Sequence, residues 1–363
     1  MAKTSKSPTV KHREVARALR QEVQSGLWQL GERLPGEQDL ARRFEVAHMT
    51  MRQAVANLVE EGLLTRIAGK GTFVVQQPGE SSSSLRTQRP MALLFPADAQ
   101  KLDPYYFPEV FQGFQHVMEE GGYRTAVYSD DLLEGSPVLD PGAAVACLLF
   151  EEAQVQRLER LRDSGFLVLA INRYSGRRSI PSVYIDDAAG VELAVDHLVA
   201  LGHNRIGFIA GPPTNLDAID RLRGFRSAVK KNGLRVAPEA GNGFNAEQGY
   251  AGARRLLSAG HRPTAIVCAS DLSALGAIKA ARDLGLSVPR GLSVIGFGDF
   301  SVADYMLPGL TTVRQTRFAL GAAAAEALVQ IASGINTTGA VLSADLIVRE
   351  STAENIGALA AAP

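Results

Sequence analysis

The feature of this sequence that most constrains its fold is an alternation of short apolar runs with amphipathic stretches over residues 91–350. Runs such as MALLF, AVACLLF and TAIVCAS are apolar almost throughout. Continuous apolar strands between helices are typical of parallel sheets that are covered on both faces. The runs are too many for one such sheet, so the sequence predicts two similar α/β lobes with a cleft between them. Ligands of these folds bind at the carboxyl ends of the strands.

Residues 78–90, PGESSSSLRTQRP, separate this region from a shorter amino-terminal part. The stretch has no periodicity, contains four consecutive serines and has a proline at each end, which is typical of a flexible linker. The predicted organisation is a head over residues 1–77, the linker over 78–90, an α/β body over 91–350 and a carboxyl-terminal tail over 351–363.

Charge is divided unevenly between the head and the body, although 38 basic and 38 acidic residues cancel over the whole chain. Residues 1–89 carry 14 Lys and Arg against 9 Asp and Glu, which leaves 24 against 29 for the rest of the chain. A small basic head on a larger acidic body indicates that the head binds a polyanion.

The head has the pattern of a winged helix-turn-helix domain. Val15, Leu19 and Val23 recur every four residues and predict a first helix, while residues 37–44 and 50–61 predict a second and a third. The sequence LLTRIAGKGTFVV then predicts a β-hairpin with a glycine-rich tip. In such a domain the third helix lies in the major groove, and the hairpin lies against the neighbouring minor groove. The alternative is a small helical protein-interaction module whose arginines only solvate its surface.

The head closely resembles the DNA-binding domain of the GntR (gluconate-repressor) family. The resemblance covers residues 10–76 and rests on LP-x-E, LA-x-x-F-x-V, T-x-R-x-A, L-x-x-EGL and GKGTFV. The resemblance implies that DNA is contacted by Thr50, Arg52, Gly69, Lys70, Gly71 and Thr72. Neighbouring positions add four further candidates, His48, Gln53, Arg42 and Arg43. A surface ion pair is the alternative role for Arg52, and Arg42 and Arg43 are candidate contacts to the DNA backbone.

Two positions depart from the GntR pattern. Gly36 stands where the family has a serine after LP, which predicts a weaker N-cap for the second helix. Ala47 and His48 stand where the family has Ser-Arg, so a histidine takes the place of a base-reading arginine. We expect these changes to alter the operator preference without abolishing DNA binding.

The body closely resembles the effector domain of the lactose/galactose-repressor (LacI) family, which shares the fold of periplasmic sugar-binding proteins. The resemblance rests on LGHNRIGFIAG, DRLRGFRSAVKKNGL, RPTAIVCASDLSALGAIKAARDLGLSVPRGLSVIGFGDF and LPGLTTVRQTRFALG. A GntR-type head on a LacI-type body is the order of the arabinose-repressor type of bacterial regulator. The linker departs from the LacI pattern, because its composition is poor for the hinge helix that enters the minor groove in that family.

A sugar is recognised by planar polar side chains that bind its hydroxyls and by an aromatic ring against its C–H groups. The LacI resemblance places the candidate ligand contacts at Arg221, Asp271, Tyr106, Phe107, Asn172 and Arg173. An interlobe salt bridge is the alternative role for Arg221 and Asp271, and plain packing is the alternative for the other four. The family's GFDD reads GFGD here, so one carboxylate of the cleft is missing and the role of Asp299 is left open.

Other functional classes lack support in the sequence. Cys147 and Cys268 lie in apolar contexts and are expected to pack in the core of a protein from a reducing compartment. The sequence contains no paired carboxylates at motif spacing, P-loop, GxSxG or Cys/His set, so no catalytic site, metal or cofactor is predicted. No apolar run approaches the ~18 residues of a membrane span and the amino end lacks an apolar signal core, so a soluble cytoplasmic protein is expected.

These observations predict a ligand-controlled transcriptional regulator, most simply a repressor. Its body is expected to form a homodimer that holds two heads at a fixed spacing, so the operator in double-stranded DNA is expected to be a near-palindrome. A sugar or sugar-like effector in the cleft would favour one arrangement of the lobes and so change the geometry of the heads. The alternatives are a sugar-processing enzyme and a sugar-binding protein that use the same cleft.

Overall fold

The structure is a computed structural model of the 363-residue chain. It describes residues 8–24, 27–29, 31–60, 62–67, 69–75, 91–96, 105–130, 139–176, 179–234 and 238–355. The linker predicted over residues 78–90 and the last part of the predicted tail, residues 356–363, lie outside the described residues.

The head consists of three helices and a two-stranded antiparallel wing. Its elements are α1 Pro8–Gln24, α2 Glu37–Arg43, α3 His48–Glu60, β1 Leu64–Ile67 and β2 Gly71–Val74. Leu19 of α1, Leu40 of α2 and Leu58 of α3 are buried in one apolar core that fixes the three helices against each other. Helix α3 begins at His48, two residues before its predicted start, because Ala47 accepts the hydrogen bonds that open the helix.

The body contains two six-stranded sheets. Its elements in chain order are β3 Met91–Phe95, α4 Phe107–Glu120, β4 Thr125–Ser129, β5 Ala144–Leu148, α5 Glu152–Asp163, β6 Leu167–Ile171, β7 Ser182–Ile185, α6 Asp187–Ala200, β8 Ile206–Ile209, α7 Leu216–Lys231, β9 Glu239–Ala240, α8 Ala246–Leu257, β10 Ala265–Cys268, α9 Asp271–Asp283, β11 Ser293–Gly298, β12 Thr311–Arg314, α10 Arg317–Ala332, β13 Gly339–Leu342 and β14 Asp345–Ile347.

The first lobe is built on the sheet with the strand order β13–β7–β6–β5–β3–β4, in which every pair is parallel. Alternate residues of β3 face opposite sides of this sheet. Leu93 packs in the cluster that contains Phe114 of α4 and Leu320 of α10, whereas Leu94 packs with Leu158 of α5. Both faces are therefore covered by helices, which explains why the strands are apolar along their whole length.

The second lobe is built on the sheet with the strand order β14–β12–β11–β10–β8–β9. Its pairs are parallel except for β12 with β14, which is antiparallel. Ile266 of β10 packs towards α8 and α9, whereas Val267 packs towards Val191 of α6 and Phe225 of α7. The predicted fold class is thereby confirmed: a winged helix-turn-helix head precedes a two-lobed α/β body with largely parallel sheets.

Within the described residues of the body, the chain crosses between the lobes three times. The crossings lie at Asp186 between β7 and α6, at Gln315 and Thr316 between β12 and α10, and at Ser343 and Ala344 between β13 and β14. The sequence VLSADLIV, predicted as one strand, therefore contributes to both lobes: β13 pairs with β7 of the first lobe, and β14 pairs with β12 of the second. The single-strand prediction was wrong because the hydrophobic pattern does not show where a chain changes sheets.

The body extends beyond its predicted boundary at residue 350. Ser351 is fully buried and its hydroxyl donates to the Val294 carbonyl over 2.6 Å. The Ala353 carbonyl lies 3.0 Å from Nε2 of His203, whose pKa is lowered by burial. Residues 351–355 are therefore part of the packed second lobe and not of a separate tail.

Two predictions about the whole chain concern the cysteines and the membrane. Cys147 and Cys268 are both buried in apolar clusters, and burial raises the pKa of each thiol. Among the residues that the structure describes, no helix has the length and apolar character needed to span a bilayer.

Candidate nucleic-acid interface and interlobe cleft

The start of α3 presents an exposed polar surface. The side chains of His48, Arg52 and Gln53 are exposed, and Thr50 is half-buried. The Arg52 guanidinium has no ion pair or hydrogen bond with any described residue. Gln53 donates to Oδ1 of Asn57 over 3.1 Å along the same helix. An unpaired cation on an exposed helix is free to meet a phosphate or a base edge.

The arginines and the histidine next to α3 are held by carboxylates of the head. Arg42 binds Asp39 over 2.5 Å, and Arg43 binds Glu22 over 2.6 Å. Nε2 of His48 lies 3.6 Å from Glu37, a carboxylate that also pairs with Arg66. Arg42 and Arg43 therefore form surface ion pairs in the structure, and both remain exposed.

The wing brings Gly69, Lys70, Gly71 and Thr72 together at its tip. Gly69 and Gly71 have φ angles of +70° and +119°, which side chains other than hydrogen rarely allow. Lys70 is exposed and its side chain has no partner among the described residues. A Cβ on Gly71 would lie 2.7 Å from Nε of Arg33, so this exposed arginine lies directly beside the wing. Sequence reasoning missed Arg33, although it belongs to the LGERLP run that carries the family resemblance.

Helix α2 begins without a side-chain cap, as predicted from Gly36. Gly36 occupies the N-cap position and no side chain accepts a hydrogen bond from the first turn there. Glu37 and Asp39 lie in that turn, where their negative charges interact favourably with the helix dipole. The interaction of these two charges with the helix dipole offsets part of the stability lost with the missing cap hydrogen bond.

A cleft of about 290 Å³ lies between the lobes of the body. Its wall combines five aromatic rings with amide, hydroxyl and charged side chains. The lining residues are Tyr106, Phe150, Glu151, Pro212, Asn215, Asp217, Arg221, Phe244, Asn245, Gln248, Ser270, Phe297, Phe300 and Gln315. The cleft lies at the carboxyl ends of strands from both sheets, where the fold class predicts a ligand.

Arg221 of α7 forms the polar centre of the cleft. Its Nε donates to Asp187 over 2.8 Å and its Nη1 donates to the Ala269 carbonyl over 2.6 Å. The guanidinium carbon lies 4.1 Å from the centroid of the Phe297 ring. The neighbouring carboxylate raises the pKa of Arg221 against the effect of burial, so this cation stays charged. The Gln315 amide donates to the same Asp187 carboxylate over 3.1 Å.

A second polar group joins Tyr106 and Asn172 of the first lobe to Asp217 of α7. The Tyr106 hydroxyl donates to Oδ1 of Asn172 over 2.6 Å, and the Asn172 amide donates to Asp217 over 3.3 Å. Burial and the neighbouring Asp187 carboxylate raise the pKa of Asp217 to about 8. Burial also raises the pKa of Tyr106, so its hydroxyl remains a hydrogen-bond donor at neutral pH.

Several direct contacts join the two lobes around the cleft. The Leu216 amide donates to the Phe150 carbonyl over 2.7 Å, and the rings of Tyr105 and Phe300 stack with centroids 4.9 Å apart. Arg173 of the first lobe forms an ion pair with Asp220 of the second. The structure therefore represents the lobes in mutual contact.

The structure brings only some of the predicted ligand residues to the cleft wall. Tyr106 and Arg221 line it, and Asn172 supports both Tyr106 and Asp217 from behind. Arg173 takes part in the interlobe ion pair with Asp220, a role that the sequence did not predict for it. Phe107 packs against Phe95 and Phe111 and does not line the cleft.

The two predicted carboxylates of the second lobe are engaged elsewhere. Asp271 is fully buried, accepts hydrogen bonds from the Thr312 hydroxyl and the Phe300 amide, and has its pKa raised by burial to about 6. Asp299 binds Arg314 over 2.7 Å and Arg349 over 2.8 Å. Neither residue lines the cleft, because these partners hold both carboxylates within the second lobe.

Sequence reasoning missed most of the residues that do line the cleft. They include the amides Asn215, Asn245, Gln248 and Gln315, the carboxylate Asp217 and the rings Phe150, Phe244, Phe297 and Phe300. Asn215 and Asn245 could have been found as N-caps at the starts of α7 and α8, where helices begin beside the carboxyl ends of strands. Among the described residues, no group of His, Cys, Asp and Glu could hold a metal ion.

Comparison with known proteins agrees with the two-part architecture. Residues 11–74 match bacterial regulatory proteins of the gntR family, and residues 195–352 match a periplasmic binding protein-like domain. The arabinose metabolism transcriptional repressor of Geobacillus stearothermophilus is 31% identical over 352 residues, which cover 91% of this chain and 94% of that protein. The chain belongs to this family of bacterial transcriptional repressors. It is a DNA-binding regulator with a LacI-like body for a small-molecule effector.

Two further relatives support this assignment of the repressor. The transcriptional repressor CytR of Escherichia coli strain K12 is 35% identical over 334 residues, which cover 86% of this chain and 95% of CytR. A solved complex of the transcriptional regulator CelR with cellobiose superposes with a TM-score of 0.64 at 26% identity and covers 84% of this chain and 91% of CelR. Both relatives are transcriptional regulators, and both are matched over most of their length.

Proposed function

We propose that this repressor binds a near-palindromic operator as a homodimer and that a sugar or sugar-like molecule in the interlobe cleft sets its operator affinity. The observation that carries the proposal is the position of Asp187 and Gln315. Gln315 lies at one chain crossing between the lobes and lines the cleft, and Asp187 directly follows another crossing. Asp187 accepts hydrogen bonds from Arg221 and from Gln315. A molecule bound in the cleft is therefore in contact with the hinge of the body.

The chemistry of the cleft fits a polyhydroxylated ligand. Asn215, Asn245 and Gln248 offer planar amides, and Ser270 offers a hydroxyl. The rings of Phe150 and Phe300 offer apolar faces for C–H groups. Planar hydrogen-bonding groups together with aromatic faces are what a sugar ring requires. Two similar proteins support the same class of ligand: one is a repressor of arabinose metabolism, and the other was solved as a complex with cellobiose.

The head supplies the DNA contacts in this proposal. Arg52, Gln53 and Thr50 of α3 face the major groove, with His48 reading a base edge in place of the family's arginine. Lys70 and Arg33 at the wing meet phosphates, and the two glycines allow the wing backbone to approach the duplex closely. In this proposal the repressor acts in the bacterial cytoplasm, where its DNA is located.

The second copy of the chain is proposed to bind on the second lobe, at a groove of about 660 Å³ between α8, α9 and the segment that follows β11. Tyr305 and Leu307 beside this groove are 84% and 86% exposed. The rim carries Glu247 as well as Lys279 and Arg282, so it has both signs of charge. A surface with both signs can pair with its own copy across a two-fold axis, and this arrangement would hold two heads at a fixed spacing.

We propose that the cleft binds its ligand without turning it over. Arg221 donates hydrogen bonds to Asp187 through Nε and to the Ala269 carbonyl through Nη1, so these partners fix its position for binding and not for proton transfer. A sugar-processing enzyme would release a product from the same cleft, so prolonged incubation of the full chain with a binding sugar is expected to leave that sugar unchanged.

The proposal is tested by selecting genomic DNA fragments with the full-length protein and measuring the affinity of the selected duplex by fluorescence anisotropy. We expect a near-palindromic fragment whose affinity falls with salt and changes about 5- to 150-fold with a sugar that also raises the melting temperature. Failure to select any sequence, or a bound sugar without effect on operator affinity, would contradict the proposal.

A further inference from the structure

Helix α3 carries an exposed apolar side chain on the face that the proposed function assigns to DNA. Met49, in the first turn of the helix, is 67% exposed. Two residues further along, Met51 is fully buried with Ala54 and Val55 in the core of the head, whereas Met49 does not belong to that core. The packing of the head therefore does not explain an apolar residue at position 49.

Met49 lies beside the polar side chains of the same helix face. In an α-helix, residues three and four positions apart are surface neighbours with Cβ atoms about 5–6 Å apart, so Met49 adjoins Arg52 and Gln53. Both are exposed, and the Arg52 guanidinium has no partner among the described residues. Base pairs in a duplex are about 3.4 Å apart, so these three side chains can reach the same or adjacent base pairs.

The chemistry of Met49 limits what it can contact in a duplex. A methionine side chain has no hydrogen-bond donor, so it gives no hydrogen bond to a phosphate oxygen or to the acceptors of guanine. The base edges of the major groove present one methyl group, at C5 of thymine. The unbranched, flexible thioether side chain can fit its shape to such a methyl group, and their contact removes apolar surface of both from water.

We infer that Met49 reads the C5-methyl group of a thymine in each operator half-site, next to the position of Arg52. The inference rests on the proposed function, because it assumes that α3 lies in the major groove of a two-part operator. It makes Met49 a specificity-determining residue that contributes sequence preference without charge.

The experiment measures the affinity of the full-length repressor for its selected operator duplex by fluorescence anisotropy. Each thymine of the half-site is replaced in turn by deoxyuridine in both halves, which removes the methyl group and leaves the pairing edge of the base unchanged. The wild type is compared with Met49→Gln, which keeps the length of the side chain but makes it polar, and with Met49→Ala. Leu27→Gln is the matched control, because Leu27 is 56% exposed in the head outside α3.

We expect one thymine position at which uracil weakens binding by the wild type about fourfold per half-site, which is the effect of burying one methyl group. Both Met49 variants are expected to bind the thymine and uracil duplexes within about twofold of each other, and Leu27→Gln to retain the full loss. Because Met49 is uncharged, both variants are expected to keep the wild-type slope of log affinity against log salt.

Two results would overturn the inference while leaving the proposed function intact. One is a wild type that binds every uracil duplex as tightly as the thymine duplex. The other is a sensitivity to uracil that persists unchanged in both Met49 variants. Failure to select any operator sequence would contradict the proposed function and the inference together.

Discussion

The side-chain amide of Gln315 donates a hydrogen bond to Asp187 over 3.1 Å. Gln315 lies at one chain crossing between the lobes, and Asp187 directly follows another. The same carboxylate accepts a hydrogen bond from Arg221 over 2.8 Å at the centre of the cleft. One buried carboxylate thus links two crossings to the polar centre of the interlobe cleft. In the proposed function, a ligand that contacts Arg221 or Gln315 would act directly on this carboxylate.

Arg221→Met is expected to destabilise the body strongly. The substitution leaves the Asp187 carboxylate buried without its cation, and breaking a buried pair in this way costs about 3–5 kcal/mol. Urea unfolding of the full chain measures the loss. The double variant Asp187→Leu, Arg221→Met is expected to recover much of the stability but none of the ligand binding, because it removes both charges and the polar centre of the cleft. Equal stability of the single and double variants would argue against a paired role.

Arg173→Ala is expected to weaken ligand binding because it removes an ion pair that holds the two lobes together. The Arg173–Asp220 ion pair joins the first lobe to the second, and its partly exposed position limits its contribution to about 1 kcal/mol, or about fivefold in affinity. Arg223→Ala provides the matched control, because Arg223 pairs with the same carboxylate over 2.9 Å from within the same helix. Titration calorimetry gives the affinities, and small-angle scattering gives the radius of gyration. Equal effects of the two variants would show that the interlobe position is unimportant.

Much of the fold could be predicted from the sequence because strands that are buried on both faces of a sheet have a continuous apolar sequence. The strands around Leu93 and Val267 are apolar along their whole length, and the head carries motifs that fix its element order. The feature that could not be predicted is the crossing at Ser343 and Ala344, where one apolar run forms strands of two different sheets. The run lacks a Gly or Pro at that point, so no local signal marks the change of lobe.

The cleft was harder to predict, because the direction of a side chain depends on its partners. Asp271 and Asp299 occupy strand ends, as expected, yet Thr312, Arg314 and Arg349 hold their carboxylates away from the cleft wall. Gln315 lies on the wall because the chain crosses between the lobes there. These arrangements arise from contacts between distant parts of the chain, which a single sequence does not display.

Arg52→Ala and Lys70→Ala are expected to weaken operator binding without affecting the ligand. Both side chains are exposed and have no partner among the described residues, so their charges are available to DNA. Loss of a phosphate contact lowers the slope of log affinity against log salt by about 1. Lys230→Ala, an exposed lysine at the end of α7, removes the same charge from the body and serves as the control. An equal loss of affinity in the control would indicate a general charge effect.

If the proposed dimer forms through this groove, Tyr305→Asp and Leu307→Asp are expected to convert it to monomers and to weaken operator binding. A charge at the centre of a two-fold contact is brought against its own copy, which costs energy on both sides of the axis. Light scattering after size-exclusion chromatography measures the mass, and anisotropy measures the affinity for the full palindrome and for a half-site. Val348→Asp is the control, since Val348 is also exposed, at 57%, but lies outside the groove. A dimeric Tyr305 variant would place the contact elsewhere.

Asp217→Asn is expected to change how stability depends on pH. The pKa of Asp217 is about 8 in the folded chain and about 3.9 in an unfolded one, so the folded state binds the additional proton between these values. The free energy of unfolding of the wild type therefore decreases as pH rises from about 4 to about 8, by at most about 1.4 kcal/mol per pH unit from this group. Above that window the loss is complete and does not change further with pH. The asparagine variant lacks this decrease, so its stability relative to the wild type is expected to grow between pH 5 and pH 8. Urea unfolding across that range measures the difference. A parallel pH dependence in the two proteins would mean that Asp217 has an ordinary pKa in the folded repressor.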